Sequence, residues 1–418
     1  MTADFDVTVV GAGPAGCAAA ITLAEAGKRV LLVDRARFPR EKCCGDGLTT
    51  SALRHLEALG LDPRDVPSFR PATELGVVSP SGRTVRLPLH PAPGVFGAVA
   101  RRTDLDAALV ELARRRGAHV RESTRCVGVE AETRGPVRLS FDDQNEVQAR
   151  FVIAADGAWS PLRRMLTAAG APGGPATANR REPEWIAFRA YVAGARPAAM
   201  QRLWVWFTTD LLPGYGWSFP LADGTVNLGI CVRRRPGPAL AELWESTLAS
   251  PFVTSLVGPE AILEAPLRAW PIPVGVARAR LTWGGGRVLF VGDAARAADP
   301  FTGEGVGQAL VTGTLAAKAI TDAAASPGIV AARYRDAVRR SLGRDQHLSR
   351  WCNGLFATPL GARGALRILA ASEFLRHNVA RWLFEDYPRA IAVTPRSWPA
   401  LVRRSPGAFA AATPRRLP

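Results

Sequence analysis

The sequence is poor in the groups that hold metals or staple small folds. Its five histidines (His55, His90, His119, His347, His377) are scattered without metal-ligand spacing, so no metal site is expected. Six cysteines (Cys17, Cys43, Cys44, Cys126, Cys231, Cys352) form neither a C-x-x-C pair nor a disulfide framework, which fits a reducing cytosol. No stretch approaches the ~18 uninterrupted apolar residues of a spanning helix. The first residues, MTADFD, show neither a basic nor an apolar leader segment. A cytoplasmic protein is expected, soluble or peripheral at the inner face of the cell membrane. P-loop and nucleophile-elbow patterns are absent. Zinc-finger spacings and basic runs with interleaved aromatics are absent too, which argues against nucleic acid as a partner. No internal repeat is visible.

What is present is size and positive charge. The 418 residues suggest two or three domains, and 47% hydrophobic with 22% charged residues is ordinary globular composition. The balance of 53 Lys+Arg against 37 Asp+Glu gives +16, nearly all of the excess arginine. Such a surplus favours an anionic partner, a membrane surface or an anionic substrate, beside the plain alternative of arginine replacing lysine in a GC-rich genome.

The chain is organised around VTVVGAGPAGCAAAITLAEAGKRVLLVD, Val7 to Asp34. Val7 to Val10 read as a buried parallel-sheet strand. Gly11-Ala12-Gly13-Pro14-Ala15-Gly16 then supplies G-x-G-x-x-G, followed by an Ala-rich helix to about Ala26 and a second strand from Arg29 to Val33. The glycines permit a tight turn and let backbone N–H groups approach a pyrophosphate at the helix N-terminus. Asp34 stands where a carboxylate accepts hydrogen bonds from ribose hydroxyls. Strand, glycines, helix, strand and acid in order predict dinucleotide binding, and leave FAD against NAD open.

Farther along, residues 75–96 read as two strands joined by a Ser-Gly turn. Arg101-Arg102-Thr103-Asp104-Leu105-Asp106 is expected to open a helix that continues to Arg116, with Thr103 or Asp104 as its N-cap. Val120 to Ala149 alternate like a meander, and Phe151 to Ala155 form another buried strand ending at Asp156-Gly157. Residues 170–182 look like a crossing between domains. From Trp185 to about Ile272 the text is strand-like and aromatic, with a hairpin turn at Asp223-Gly224. Arg287 to Val291 returns to the buried-strand pattern before GDAARAADPFTGEGVGQAL and a helix to about Ala325. The remainder is helical, without catalytic-looking punctuation.

The expected class is α/β: a Rossmann-like dinucleotide-binding domain, an inserted antiparallel β-rich substrate domain and a C-terminal helical region. The nucleotide-binding domain takes 1–74, 97–175 and 276–328. The substrate domain takes 75–96 and 176–275, and the helical region 329–418. A discontinuous layout of this kind puts the ligand cavity at the domain junction.

The opening GAGPAG with Asp34, the Asp156-Gly157 strand end and Gly292-Asp293-Ala294-Ala295 together resemble the flavoprotein hydroxylase fold over residues 5–325. Within it, Phe38 to Gly47 resembles the P-x-x-K-x-C-G-x-G segment of the geranylgeranyl reductase family. Tyr215 to Pro220 resembles that family's Y-x-W-x-F-P, and Asp299 to Gly305 its D-P-x-x-G-E-G. Members that look most similar are the menaquinone and polyprenyl side-chain reductases of actinobacteria. Two departures stand out: Leu221 where several archaeal members carry lysine, and Asp46 in place of a glycine.

The resemblance implies FAD as cofactor. It implies FAD contacts from Gly11, Gly13, Ala15, Gly16, Asp34, Arg35, Cys44, Gly45, Gly47, Arg102, Cys126, Asp156, Gly292, Asp293, Gly303, Gly305 and Val306. Asp293 would serve the ribityl or pyrophosphate region, Arg102 would pack against the cofactor, and Cys126 would offer backbone contacts to adenine. The helix opening near Gly303 to Gly307 would aim its positive end at the flavin and stabilise the reduced anion.

It also implies an isoprenoid substrate and a reductase of unactivated alkenes. No carbonyl stabilises the intermediate there, so orientation and a dry pocket carry much of the work. Tyr215, Trp217 and Phe219 share one strand face, expected to form the wall opposite the flavin with room left by Gly216. Cys44 either donates or relays the proton, or packs the loop as a small buried residue. A second G-x-G-x-x-G is missing, so NAD(P)H or another external donor must reach the flavin without a domain of its own.

The C-terminal aromatics Trp351, Phe356, Phe374, Trp382, Phe384, Tyr387 and Trp398, set among arginines, read either as an interfacial surface on an anionic membrane or as a helical cap. The alternative activity is a flavin-dependent monooxygenase or halogenase-like tailoring enzyme of secondary metabolism. A flavoprotein kept for redox sensing or partner binding is a third reading.

Overall fold

The computed structural model describes all residues except 1–2, 90–91, 133–134, 169–183, 235–239, 323–325, 395–397, 399–404 and 411–418. The opening strand Phe5–Val10 lies between Val30–Val33 and Glu146–Ala154, parallel to both. His119–Arg121 extends one side and Val288–Phe290 the other, again in parallel. Val30–Val33 and Val288–Phe290 are short and buried throughout, as strands covered on both faces must be, whereas the edge strand His119–Arg121 is partly exposed. Cys126–Glu130 and Val137–Phe141 add an antiparallel meander to the end of Glu146–Ala154.

Gly13 caps the helix Pro14–Glu25 and Pro14 takes its first turn, where a missing N–H costs nothing. The helix Val306–Asp322 crosses it so closely that a Cβ on Gly313 would collide with the carbonyl of Ala15. Gly313 therefore fixes the distance between the two helices whose N-termini matter below.

A second sheet has seven strands in the order Ile262–Ile272, Trp185–Ala193, Val226–Arg233, Tyr215–Pro220, Leu203–Trp206, Glu74–Val78 and Thr84–Pro88. All pairs are antiparallel except Leu203–Trp206 with Glu74–Val78. The strands over 75–96 thus join residues far along the chain. Gly224, with φ 85°, makes the turn between Tyr215–Pro220 and Val226–Arg233, and Asp223 closes it by accepting from the Thr225 amide.

Two findings depart from the expected pattern. The region 185–272 is not all strand: Leu240–Leu248 and Pro251–Val257 are helices whose Trp244, Val253 and Leu256 pack on the sheet with Phe188, Trp206 and Ile230. The helix Arg102–Arg115 begins earlier than Thr103 or Asp104, capped at Arg101 without a side-chain bond. Asp104 instead accepts from the Ser68 amide. The proposed crossing at 170–182 lies outside the described residues.

The C-terminal helices Pro327–Leu355, Pro359–Ala370 and Glu373–Leu383 follow. Ala362, Leu366 and Ala380 pack against Leu87 and Leu89 at the edge of the second sheet.

Candidate active site

A cavity of about 1280 Å³ is lined by both large sheets and by the C-terminal helices. Its first end is the glycine turn. Gly11 has φ 106°, and a Cβ there would collide with the Ala155 carbonyl, so only glycine fits. Gly11, Gly13 and Ala15 line the cavity, and no side chain caps the first-turn N–H groups of the helix. Gly16 does not line it. A Cβ on Gly16 would strike the Gly11 carbonyl, so this third glycine lets helix and strand pack and does not face a ligand.

Asp34 is held rigidly, Oδ2 accepting from the Ala12 amide at 2.8 Å and Oδ1 from the Ala36 amide at 2.8 Å. Each oxygen keeps a second lone pair for a hydroxyl donor. Arg35, Cys126 and Asp156 line the same end. Burial pushes the Cys126 thiol up to about 12, so it is chemically inert. Asp156 spends its carboxylate on Ser160 Oγ and the Leu162 amide, which starts the helix Pro161–Ala168.

Arg102 grips the fully buried Asp106 through two bonds of 2.8 Å, and Arg40 reaches the same carboxylate at 3.2 Å. Two guanidiniums on one carboxylate leave a positive charge. Arg40 stands 3.6 Å from where a Cβ on Gly13 would be. Arg102 was named from the sequence and Arg40 was not; the available signal for Arg40 was an arginine in the loop directly after the second strand. Gly292 and Asp293 line the cavity nearby, Gly292 donating its amide to Thr312 Oγ1 at 2.9 Å.

Gly303, Gly305 and Val306 bring the N-terminus of the helix Val306–Asp322 into the lining. Tyr215 donates its hydroxyl to the Thr302 carbonyl and so ties this loop to the second sheet. Tyr215, Trp217 and Phe219 all line the cavity. The room beside them comes from another glycine than expected. Gly216 sits on the opposite strand face, where a Cβ would strike the Trp206 ring. Gly229 is paired across the strands with Trp217 and clears its indole.

The loop Cys44–Gly47 lies on this wall: a Cβ on Gly45 would sit 3.3 Å from the Trp217 ring, and one on Gly47 3.1 Å from the Phe219 ring. Burial raises the Cys44 thiol, with Arg102 opposing. Lys42, its ammonium 3.4 Å over the Trp270 ring, is lowered by burial to about 8. Asp46, noted from the sequence only as a replaced glycine, is 1% exposed and also lines the cavity.

The C-terminal region carries more of the site than its sequence suggested. Phe356, Trp382, Phe384 and Tyr387 turn inward and line the cavity, whereas Trp351, Phe374 and Trp398 face outward. Arg389, with no exposed surface, bonds Asp299 at 2.7 Å and Glu385 at 3.2 Å, clamping the loop before Gly303 to the C-terminal segment. Leu221 is fully buried away from the cavity and its carbonyl accepts from Arg70.

The sequence model of the FAD binding domain family matches residues 4–321. The chain belongs to this FAD-binding family. Among curated relatives, the menaquinone reductase of Mycolicibacterium smegmatis is 36% identical over 340 residues, 77% of each chain. A digeranylgeranylglycerophospholipid reductase of Methanopyrus kandleri is 31% identical over 359 residues, 82% of this chain and 84% of the relative. Among solved structures, a geranylgeranyl bacteriochlorophyll reductase-like protein of Thermoplasma acidophilum superposes with a TM-score of 0.74. It is 22% identical, covering 94% of this chain and 98% of that one. A point mutant of the halogenase PltM in complex with FAD superposes with a TM-score of 0.68 at 17% identity, covering 97% of this chain and 87% of that one. These two likenesses are of fold.

The geometry fits FAD. Gly11 and Gly13 form a cradle that side chains would fill, the Arg40–Arg102 pair offsets a pyrophosphate, and Asp34 suits the ribose. The FAD-binding family thereby accounts for one end of the cavity and leaves the aromatic and aliphatic remainder for a substrate.

Proposed function

We propose that this chain is an FAD-dependent reductase that saturates carbon–carbon double bonds of an isoprenoid chain. The observation that carries the reading is the rest of the cavity lining. Leu75, Val77, Leu87, Leu203, Val205 and Phe207 come from one sheet face, and Leu366, Leu369, Leu383 and Phe384 from the C-terminal helices. Such a surface offers dry apolar burial with few hydrogen-bonding groups, which suits a polyprenyl chain. Relatives named menaquinone reductase and digeranylgeranylglycerophospholipid reductase support the same substrate class.

When bound and reduced, FAD supplies a hydride. In this reading Gly11, Gly13 and Ala15 with Arg40 and Arg102 hold its pyrophosphate, and Asp34 and Arg35 its adenosine end, with Cys126 and Asp156 on the same rim. Gly292, Asp293, Gly303, Gly305 and Val306 present backbone and a helix N-terminus to the ring system, where negative charge is favoured. Cys44, Gly45 and Gly47, packed on Trp217 and Phe219, form with Tyr215 one continuous wall against which the alkene lies. Electrons come from NAD(P)H or another external donor.

We further propose that the C-terminal helices rest on an anionic membrane. Trp351 (65% exposed), Leu360 (79%) and Phe374 (58%) project outward among the exposed Arg344, Arg350, Arg363 and Arg367. Leu355 and Ile368 are exposed and also line the cavity, so the apolar surface runs into it. Exposed apolar residues interleaved with exposed arginines along these helices suit an acyl boundary beneath anionic headgroups. Among the described residues no helix is long and apolar enough to cross a membrane.

The test is anaerobic. Chemically reduced FAD-loaded protein is mixed with a polyprenyl quinone in detergent, and the product is weighed by mass spectrometry. A gain of two hydrogens with reoxidation of the flavin is expected. No reaction until O₂ is admitted, followed by addition of one oxygen atom, would establish the monooxygenase instead.

A further inference from the structure

Reduction of an alkene needs a proton as well as a hydride, and the carboxyl groups along the cavity differ in whether they can give one. Asp34 and Asp156 are held by amides and a serine, and Glu41 pairs with Arg189 at 3.1 Å. Asp46 is 1% exposed and shut in by Tyr191 and Asn227. Asp293 serves the cofactor in the reading above. Glu304 is different: it lies in an unbroken run of lining residues, Thr302 to Val306, and is only half-buried.

Its surroundings fix which oxygen is free. Glu304 Oε1 accepts from the Gly307 amide at 2.6 Å, in the first turn of the helix Val306–Asp322. The Glu304 carbonyl accepts from the Asp299 amide at 2.8 Å and its amide donates to Thr302 Oγ1 at 3.3 Å, so the backbone is pinned as well. Oε2 has no hydrogen-bond partner among the described residues and yet is not enclosed, so it opens on the cavity. One residue earlier, a Cβ on Gly303 would stand 3.4 Å from the Tyr215 hydroxyl and 3.5 Å from Ile272. The acid thus emerges where the aromatic wall meets the helix N-terminus. An amide already occupies Oε1, so the proton of the neutral acid belongs on Oε2.

We propose that Glu304, through Oε2, is the general acid that protonates the isoprenoid alkene; the proposal rests on the reductase reading above. The alkene π pair forms a C–H bond with the Glu304 proton while the O–H pair stays on Oε2. The adjacent carbon takes the hydride supplied by reduced FAD, which ends oxidised by two electrons. The product has gained two hydrogens, and Glu304 is left as a carboxylate that solvent reprotonates once the product leaves. The Gly307 amide and the positive end of the helix support that carboxylate in the meantime. An external two-electron donor restores the reduced cofactor.

The charged and titratable groups facing Glu304 are Asp299 in its own loop, Arg389 and Glu385 in the C-terminal segment, and Tyr215 on the second sheet. Asp345, on the helix Pro327–Leu355, faces Arg389 and Glu385 in turn. The helix Thr50–Ala58 brings Ala52 against Gly307. Burial raises the Glu304 carboxyl above the ordinary carboxylate range; the Gly307 amide and Arg389 pull it down, and Asp299 pushes it further up. The acid therefore stays loaded at pH values where an exposed glutamate is ionised, which suits a donor working near neutrality. Cys44 and Cys231 also line the cavity, but burial raises both thiols above their ordinary value and leaves them the weaker acids. Tyr215 already gives its hydroxyl proton to the Thr302 carbonyl. Cys44 is thereby left to shape the wall.

The test uses full-length FAD-loaded protein and Glu304→Gln, whose amide oxygen can still accept from the Gly307 amide. Expected are an unchanged flavin spectrum and FAD affinity, and a single-turnover oxidation of reduced flavin by a polyprenyl quinone slowed by roughly 10²–10⁴-fold. The wild-type rate should fall as pH rises, along a limb well above the ordinary 4.5 of glutamate, and the variant should lack that limb. Infrared difference spectra should show a neutral carboxyl band that titrates with the limb, moves when substrate fills the cavity and is missing from the variant. The response of the band to substrate is read on wild type alone, so the assignment stays falsifiable where Glu304→Gln loses FAD. An E304Q protein with wild-type rate and limb, or a carboxyl band indifferent to substrate, overturns the assignment. Substrate left unreduced by the wild type, with the infrared band present, overturns it together with the reductase reading, whereas reduction without the band overturns the acid alone.

Discussion

Asp46 makes a stability prediction that does not involve turnover. Its ordinary carboxyl value is 3.8 and burial raises it to about 6. Each pKa unit corresponds to about 1.4 kcal/mol, so the shift amounts to about 3 kcal/mol. The direction follows from linkage. The folded chain binds this proton more tightly than the unfolded chain does. The stability it contributes is therefore complete below about pH 4 and disappears as pH rises through about 6. Asparagine has no charge to lose, and its amide oxygen can still accept from Tyr191 and Asn227. Asp46→Asn should thus be more stable than wild type by up to about 3 kcal/mol at pH 8, and equal to it near pH 4.

The assay is equilibrium unfolding by denaturant at saturating FAD, repeated at half-unit steps from pH 4 to 8, with the difference between the two proteins plotted against pH. All other titrating groups cancel in that difference. A curve that rises between pH 4 and 6 and then flattens is the expected signature. A difference independent of pH, or a wild type more stable at pH 8, would show that the carboxylate is compensated in the folded chain and would refute the reasoning about its isolation.

Three further changes probe other parts of the site. Gly229→Ala drives a methyl group into the Trp217 ring, and should cost about 1–3 kcal/mol while raising KM for substrate more than it weakens FAD, checked by denaturation and flavin titration. Arg389→Met removes the buried cation from Asp299 and Glu385 and should cost about 3–5 kcal/mol at neutral pH. Burial already holds the Glu385 and Glu304 carboxyls high, so this loss should shrink as pH falls and these two glutamates take up protons. Trp351→Ser with Phe374→Ser should lower sedimentation with anionic vesicles by at least about tenfold, leaving turnover of detergent-dispersed substrate intact; unchanged sedimentation removes the membrane proposal.

The nucleotide end of the cavity was legible because its signals are local. A short apolar strand, Gly11 to Gly13, Pro14 and Asp34 fall within one strand–helix–strand unit, and each follows from backbone geometry over a few residues. The wall at Tyr215, Trp217 and Phe219 was legible for the same reason, since a strand alternates. The glycine that clears space for Trp217 was not: Gly216 is adjacent in sequence, but only the cross-strand register reveals Gly229. Asp46 was missed as an acid because Tyr191 and Asn227 lie 145 and 181 residues away. Arg389 and Asp299 are 90 residues apart and meet only once the C-terminal helices have folded back. Charged residues reveal their partners through tertiary structure, and the C-terminal sequence, rich in arginine throughout, gave no reason to single one out.

A cavity that buries an isoprenoid double bond also removes the commonest proton source. Water admitted beside the reduced ring would protonate a transient carbanionic centre, or add to a cationic one through oxygen, and would weaken every electrostatic contact there. A dry site must therefore hold its own acid, and burial of that acid raises its affinity for the proton. The same desolvation that shapes the apolar lining thus holds the Glu304 carboxyl high and sets the Asp46 carboxyl near neutrality, where Tyr191, Asn227, Arg189 and Arg102 keep Asp46 from rising further. A thiol in this environment moves away from neutrality instead, as Cys44 does. Replacing Leu75 or Val205 by a polar residue that admits water should therefore lower the Asp46 value, read as a shift to lower pH of the rise in the stability difference between wild type and Asp46→Asn.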